Sequence, residues 1–152
     1  MFIDEWNKLE ARFKKQAEVD EDIFLPNLAP SAPVNHLFIA MEPSLGRWAT
    51  GDNLDSIRQC ANDKIHAGFR NFMYSLEDFL LHYSIKHYLC PDDQTYHITD
   101  LSKGAMLVRK AKRNRDKRYD NWYGLLTEEI NLVRKPNASI WAIGKKSWNY
   151  DP

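Results

Sequence analysis

Two short apolar runs in the chain each end on an acidic residue. His36-Leu37-Phe38-Ile39-Ala40-Met41 is closed by Glu42-Pro43-Ser44-Leu45-Gly46, and Tyr96-His97-Ile98-Thr99 by Asp100-Leu101-Ser102-Lys103. Near-continuous apolar runs suit strands buried on both faces, as in parallel sheets. In open parallel sheets, ligands bind beyond the carboxyl ends of the strands. Glu42 and Asp100 at neighbouring strand ends could therefore face one cleft, and paired carboxylates there can do general acid or base work. A plainer reading fits the same residues: Asp100 caps a turn and Glu42 is a solvated loop acid.

Other chemistry-bearing patterns are weaker. A third run, Ser139-Ile140-Trp141-Ala142-Ile143-Gly144, leads into Lys145-Lys146-Ser147. Position 139 is serine where the phosphate-binding pattern GxxxxGK[ST] needs its first glycine, so no nucleotide site is read there. His36, His66, His82 and His97 have no metal-ligand spacing, and Cys60 and Cys90 form no CxxC pair. Neither a metal site nor a disulfide framework is expected. His87 and His97 read as structural.

The elements that must hold the two acids can be placed by periodicity. Phe2, Ile3, Trp6, Leu9 and Phe13 recur at helical spacing. Pro26, Pro30 and Pro33 then break the chain, so residues 1–33 form a helix and a proline-rich lead-in. A polar stretch follows the first strand. Phe72, Leu76, Phe79, Leu80, Tyr83 and His87 mark a second helical stripe. Trp122, Leu125, Leu126, Glu129/Ile130 and Val133 mark another, ending at Pro136-Asn137. Strands near 36–42, 95–101 and 138–144 alternate with these helices. That order predicts an α/β fold, a three-layer α/β/α domain on a short parallel sheet, spanning residues 1–152.

Composition narrows the class. The chain has 152 residues, 43% hydrophobic and 12% aromatic, which excludes a disordered chain. No apolar run approaches the roughly 18 residues of a membrane span, so no membrane partner is expected. The acidic start, Met1-Phe2-Ile3-Asp4-Glu5-Trp6, does not resemble a secretory leader. The expected location is the cytoplasm, or the nucleus in a eukaryote. Lys plus Arg total 21 and Asp plus Glu total 21, but the balance is local. Residues 1–25 hold seven acids and four bases, net −3; residues 103–118 hold eight bases and one acid, net +7. Such a strip is either a solvated face or a phosphate-binding surface with salt-sensitive affinity for nucleic acid.

Three segments taken in order carry a resemblance. Ala40-Met41-Glu42-Pro43-Ser44 is similar to motif A of the uracil-DNA glycosylase superfamily, which takes forms such as GQDPY, GINPG, GMNPG and GEAPG. Tyr96-His97-Ile98-Thr99-Asp100-Leu101-Ser102-Lys103 resembles the YITNVVK segment of bacterial and archaeal members. The stretch from Trp122 through Glu128-Glu129-Ile130-Asn131-Leu132-Val133, then Pro136 and Ile140-Trp141-Ala142-Ile143-Gly144-Lys145, resembles their "L..EI..L.P..IVALG..A" segment. The resemblance spans about residues 36–148. It implies an enzyme that flips a deaminated base out of single- or double-stranded DNA and hydrolyses its N-glycosidic bond.

On that resemblance, Glu42 activates water and stabilises a cationic sugar. Met41, Pro43 and Ser44 border the base, Phe69 (with Phe72 as the alternative) stacks on it, and Asp100 reads its edge. Lys103, Arg109, Lys110 and Lys112 contact phosphates. No cofactor is implied.

This chain also departs from the family pattern. The position of Asp100 is usually Asn in uracil-reading members. An ionised Asp only accepts hydrogen bonds and suits an edge with two donors, as on a guanine-like ring, whereas an Asp protonated through burial mimics Asn. Members with YITNVVK usually carry four cluster-binding cysteines, which Cys60 and Cys90 do not reproduce. The family's fourth strand and its His-containing motif have no counterpart before Pro152, so the expectation is a C-terminally incomplete domain or a shortened, inactive member. The alternatives are a non-catalytic nucleic-acid-binding module on the same fold, or an α/β domain that binds a nucleotide or small molecule unrelated to DNA.

Overall fold

The structure is a computed structural model that describes residues 1–45, 53–106 and 115–144. Its elements run α1 (Phe2–Val19), β1 (Ile23–Phe24), β2 (Val34–Ala40), α2 (Leu54–His66) and α3 (Leu76–Ser84). A π-helical turn (Ile85–Leu89), β3 (Tyr96–Asp100), β4 (Gly104–Ala105), α4 (Arg115–Val133) and β5 (Arg134–Ala142) follow. A three-stranded parallel sheet has the order β3-β2-β5, and β1 pairs with β4 antiparallel.

The apolar run 36–41 becomes the central strand because its side chains serve both faces. Leu37 and Ile39 pack with Trp6, Tyr119, Leu126 and Ile130, from α1 and α4. Phe38 and Ile98 pack on the other face with Ile85 and Cys90, with Leu81 of α3 against them. Helices thus cover both faces, as the alternating pattern predicts. In α1 the spacing of Trp6, Leu9, Phe13 and Ala17 buries one stripe, and Phe13 meets Trp122 of α4. Asn53 caps α2 by accepting from the amides of Asp55 and Ser56. Ser75 and Asp78 cap α3 reciprocally, which satisfies two end donors of that short helix.

Three local expectations change. The polar stretch after β2 contains a helix, α2, which packs Ile57 and Ala61 against Ile23 and Leu25. The stripe from Phe72 to His87 is not one buried helix face. Leu76, Phe79, Leu80 and Tyr83 are exposed on α3, and Phe72 lies before the helix in a left-handed conformation, φ 65°. The third strand begins at Arg134 and forms a sheet edge whose Ile140 and Trp141 are exposed, not a strand covered on both sides. A register shift lies between its pairings with Val34 and His36, and Asn137 takes a left-handed φ of 64° within that irregular stretch. Among the described residues, no helix is long and apolar enough to cross a membrane.

Candidate functional site

Parallel pairing brings the two sequence-predicted acids to the same end of the sheet. Ala40 of β2 stands opposite Asp100 of β3. The ladder continues past both strands, with the amides of Leu101 and Ser102 donating to the carbonyls of Ala40 and Met41. Glu42 therefore leaves β2 beside the end of β3. Its Oε2 accepts from the hydroxyl of Tyr119, on α4, at 3.1 Å. Tyr119 is itself buried in the core beneath the sheet, so the hydroxyl that meets the half-buried Glu42 is rigidly mounted.

Asp100 is enclosed. Its Oδ2 accepts from Asn27 Nδ2 at 3.1 Å and from Asn71 Nδ2 at 2.6 Å. Its Oδ1 is buried with no hydrogen-bond partner among the described residues. Burial pushes the carboxyl up from its ordinary 3.8 to about 6, against the pull of the Asn27 amide, the Lys103 charge and the Asn71 amide. Near neutral pH the group is mostly ionised. The base edge expected from sequence to meet Asp100 finds one oxygen held by two asparagines and the other buried, so this carboxylate does not face a ligand.

Beneath Asp100 lies a buried charged cluster. Glu129 of α4 accepts from Thr99 Oγ1 at 2.6 Å and His97 Nε2 at 3.2 Å on Oε1, and from Lys103 Nζ on Oε2. Burial alone would raise the Glu129 carboxyl, but Lys103 and His97 outweigh it and hold it down at about 2. Lys103 Nζ also donates to the main-chain oxygen of Asp100 at 2.5 Å and lies 4.7 Å from the Phe13 ring centre.

This corrects one expectation. Lys103 is 1% exposed and spent on Glu129, so it does not face a phosphate. The reason is that an ammonium buried this deeply needs a carboxylate partner, and α4 supplies one. Arg118, from the same basic stretch, pairs with the buried carboxylate of Asp22. Gly104 keeps that site open, since an added Cβ would come within 2.9 Å of Asp22 Oδ2. Arg109, Lys110 and Lys112 lie outside the described residues.

The remaining predicted residues separate. Met41 packs half-buried against the Leu37 and Ile39 core, Pro43 is buried and Ser44 exposed. Phe69 stacks on Tyr74, ring centres 5.1 Å apart, and packs against the Ile23–Ile57 cluster. Phe72, the alternative aromatic, borders a cavity of about 190 Å³ lined by residues 28–30, 71–73, 96–98 and His82. His82 Nε2 donates to the Phe72 carbonyl at 2.9 Å while Nδ1 meets the Tyr96 hydroxyl at 2.6 Å, which secures the left-handed turn. Among the described residues, no group of three His, Cys, Asp or Glu side chains is placed to hold a metal ion.

Sequence reasoning missed Asn27, Asn71, Tyr119 and Glu129. Glu129 alone gave a signal, as an acid on the apolar stripe of its helix. Compared with protein-family models, curated proteins and solved structures, the chain matches none.

Proposed function

We propose that the chain takes a deaminated base flipped from DNA and hydrolyses its N-glycosidic bond. The observation that carries this reading is the placement of Glu42 and Asp100 at the carboxyl ends of two register-matched parallel strands. One carboxylate is braced by a tyrosine hydroxyl and the other is buried, held by two asparagines. Glu42 orients and polarises the attacking water and stabilises the cationic sugar as the bond breaks. Asp100 is enclosed at the end of β3, where Asn27 and Asn71 hold its carboxylate, so it fixes the strand end beside Glu42 rather than touching the base. Extrusion costs stacking energy, so mispaired or single-stranded bases are preferred. Arg109, Lys110 and Lys112 supply phosphate contacts, and the setting is the cytoplasm or nucleus.

The test is base release from single- and double-stranded oligonucleotides carrying uracil or hypoxanthine. Wild-type protein releases the base and Glu42→Gln does not. Undiminished release by Glu42→Gln sinks the mechanism. DNA binding that weakens steeply with salt, without release by the wild type, supports the non-catalytic module instead.

A further inference from the structure

α3 is apolar on two opposite sides. Leu81 packs inward on the Phe38–Ile98 cluster together with Ile85 of the following turn, and His82 bonds the Tyr96 hydroxyl and the Phe72 carbonyl. At about 100° per residue, Leu76, Phe79, Leu80 and Tyr83 fall on the side of the helix opposite Leu81 and Ile85. All four are at least half exposed: Leu76 70%, Phe79 62%, Leu80 50% and Tyr83 52%. Eight of the fourteen large apolar side chains exposed among the described residues lie within residues 73–89. Single exposed apolar residues are ordinary, but a contiguous patch marks an interaction surface. A helix that is apolar all round belongs between two layers, and the sheet supplies only one.

The outward stripe is ordered in advance. The Phe79 and Tyr83 rings stack with centres 6.4 Å apart, and Tyr83 stacks on His87 at 5.5 Å. Positions 76, 79, 80 and 83 follow the i, i+3, i+4, i+7 spacing with which one helix seats on another. Charge selects the partner. The first turn of α3 carries Glu77 and Asp78, and the π-helical turn that continues it carries Lys86 and His87. A second copy lying antiparallel sets the acidic start of each helix against the basic end of the other, and the two helix dipoles then attract. A parallel copy would set acids against acids. Lys86 is the one lysine or arginine from 73 to 89, whereas helices that lie on membranes carry basic polar faces and single-stranded nucleic acid needs a basic groove beside its stacking rings.

We propose that α3 is the contact surface of a homodimer, in which two copies pack their outward stripes antiparallel about a twofold axis at the level of Leu81 and His82. Leu80 of each copy then meets Tyr83 of the other, and the Phe79 rings close the seam on either side. One short helix from each copy lies at the small end of specific interfaces, so the dimer is reversible, with a dissociation constant in the micromolar range.

The test is sedimentation equilibrium of the full chain over a concentration series. The wild type should show a monomer–dimer equilibrium in the micromolar range. Phe79→Asp and Tyr83→Asp each place a charge in the seam and should raise Kd about tenfold or more. Both side chains are exposed, so in dilute solution these variants should keep the wild-type circular dichroism and thermal unfolding. Lys86→Glu sets acid against acid and should raise Kd about threefold, and adding Glu77→Lys to the same chain should restore it. A wild type that stays monomeric at millimolar concentration overturns the proposal, and binding of that monomer to phosphatidylserine vesicles would assign the face to a membrane instead. A dimer that persists in Phe79→Asp and Tyr83→Asp overturns it too, since its interface then lies elsewhere. A Lys86→Glu dimer as tight as the wild type overturns the antiparallel arrangement.

Discussion

Asn71 donates its side-chain amide to Asp100 Oδ2 at 2.6 Å, joining the segment after α2 to the end of β3. Hydrogen bonds to an ionised carboxylate favour the ionised form, so Asn71 holds the Asp100 carboxyl below where burial alone would put it. Asn71→Ala should raise the Asp100 carboxyl above about 6. A carbon-detected NMR titration of that carboxyl measures it directly. A midpoint that does not move would mean the contact contributes nothing to the charge state.

The same carboxyl predicts a pH profile of stability. Asp100 titrates at about 6 in the folded chain against an ordinary 3.8, so between these values the folded state holds more protons than the unfolded one. Its contribution to stability is therefore lost as pH rises through that window. Glu129 acts oppositely: held at about 2 against 4.5, it contributes above that range and loses its contribution as pH falls towards 2. Together these two groups place the stability maximum near pH 4–5. Urea denaturation at pH 4 and pH 7 should show the wild type losing about 2–3 kcal/mol more than Asp100→Asn over the interval. Parallel profiles for the two proteins would contradict the assignment.

Lys103 and Glu129 form a closed charge pair, each almost fully buried. Removing one partner leaves an uncompensated charge, so Lys103→Met or Glu129→Leu should cost about 3–5 kcal/mol. The double variant should recover part of that loss: the unpaired charge is gone, but His97 Nε2 and Thr99 Oγ1 still lose their Glu129 acceptor. Chemical denaturation of the wild type and the three variants provides the cycle. Because Lys103 faces no phosphate, folded Lys103→Met should bind DNA with an unchanged salt slope. A slope smaller by about one unit would return Lys103 to the phosphate-contacting set.

The residues that announced themselves in sequence are those whose role is local. The run from Leu37 to Ile39 reads as a doubly covered strand because both faces really are buried, and α1 reads from the spacing of Trp6, Leu9 and Phe13. The position of Asp100 beside Glu42's strand followed from that same logic. What was illegible depends on partners far along the chain. Lys103 looks like one more base in a basic strip until Glu129, 26 residues later, turns to meet it. Asn27 and Asn71 look like ordinary turn formers, and only the fold aims both amides at one carboxylate. The Ile140-Trp141 run reads as buried because composition cannot distinguish a central strand from an edge.

Tyr119 offers a sharper test of the proposed chemistry than Glu42 alone. Its hydroxyl donates to Glu42 Oε2 from a ring fixed in the core, so Tyr119→Phe keeps the carboxylate and the packing while removing one orienting bond. If Glu42 works on a water in the transition state, losing its orientation should lower kcat for base release about tenfold with little change in KM, since a lost hydrogen bond to a charged group is worth about 1.5–3 kcal/mol at most. Glu42→Gln should cost more, on the order of 10²–10⁴ in rate. A Tyr119→Phe protein with reduced affinity for DNA and intact kcat would instead make this pair a structural brace of the loop after β2. Single-turnover base release, run beside thermal unfolding of both variants, separates the two outcomes.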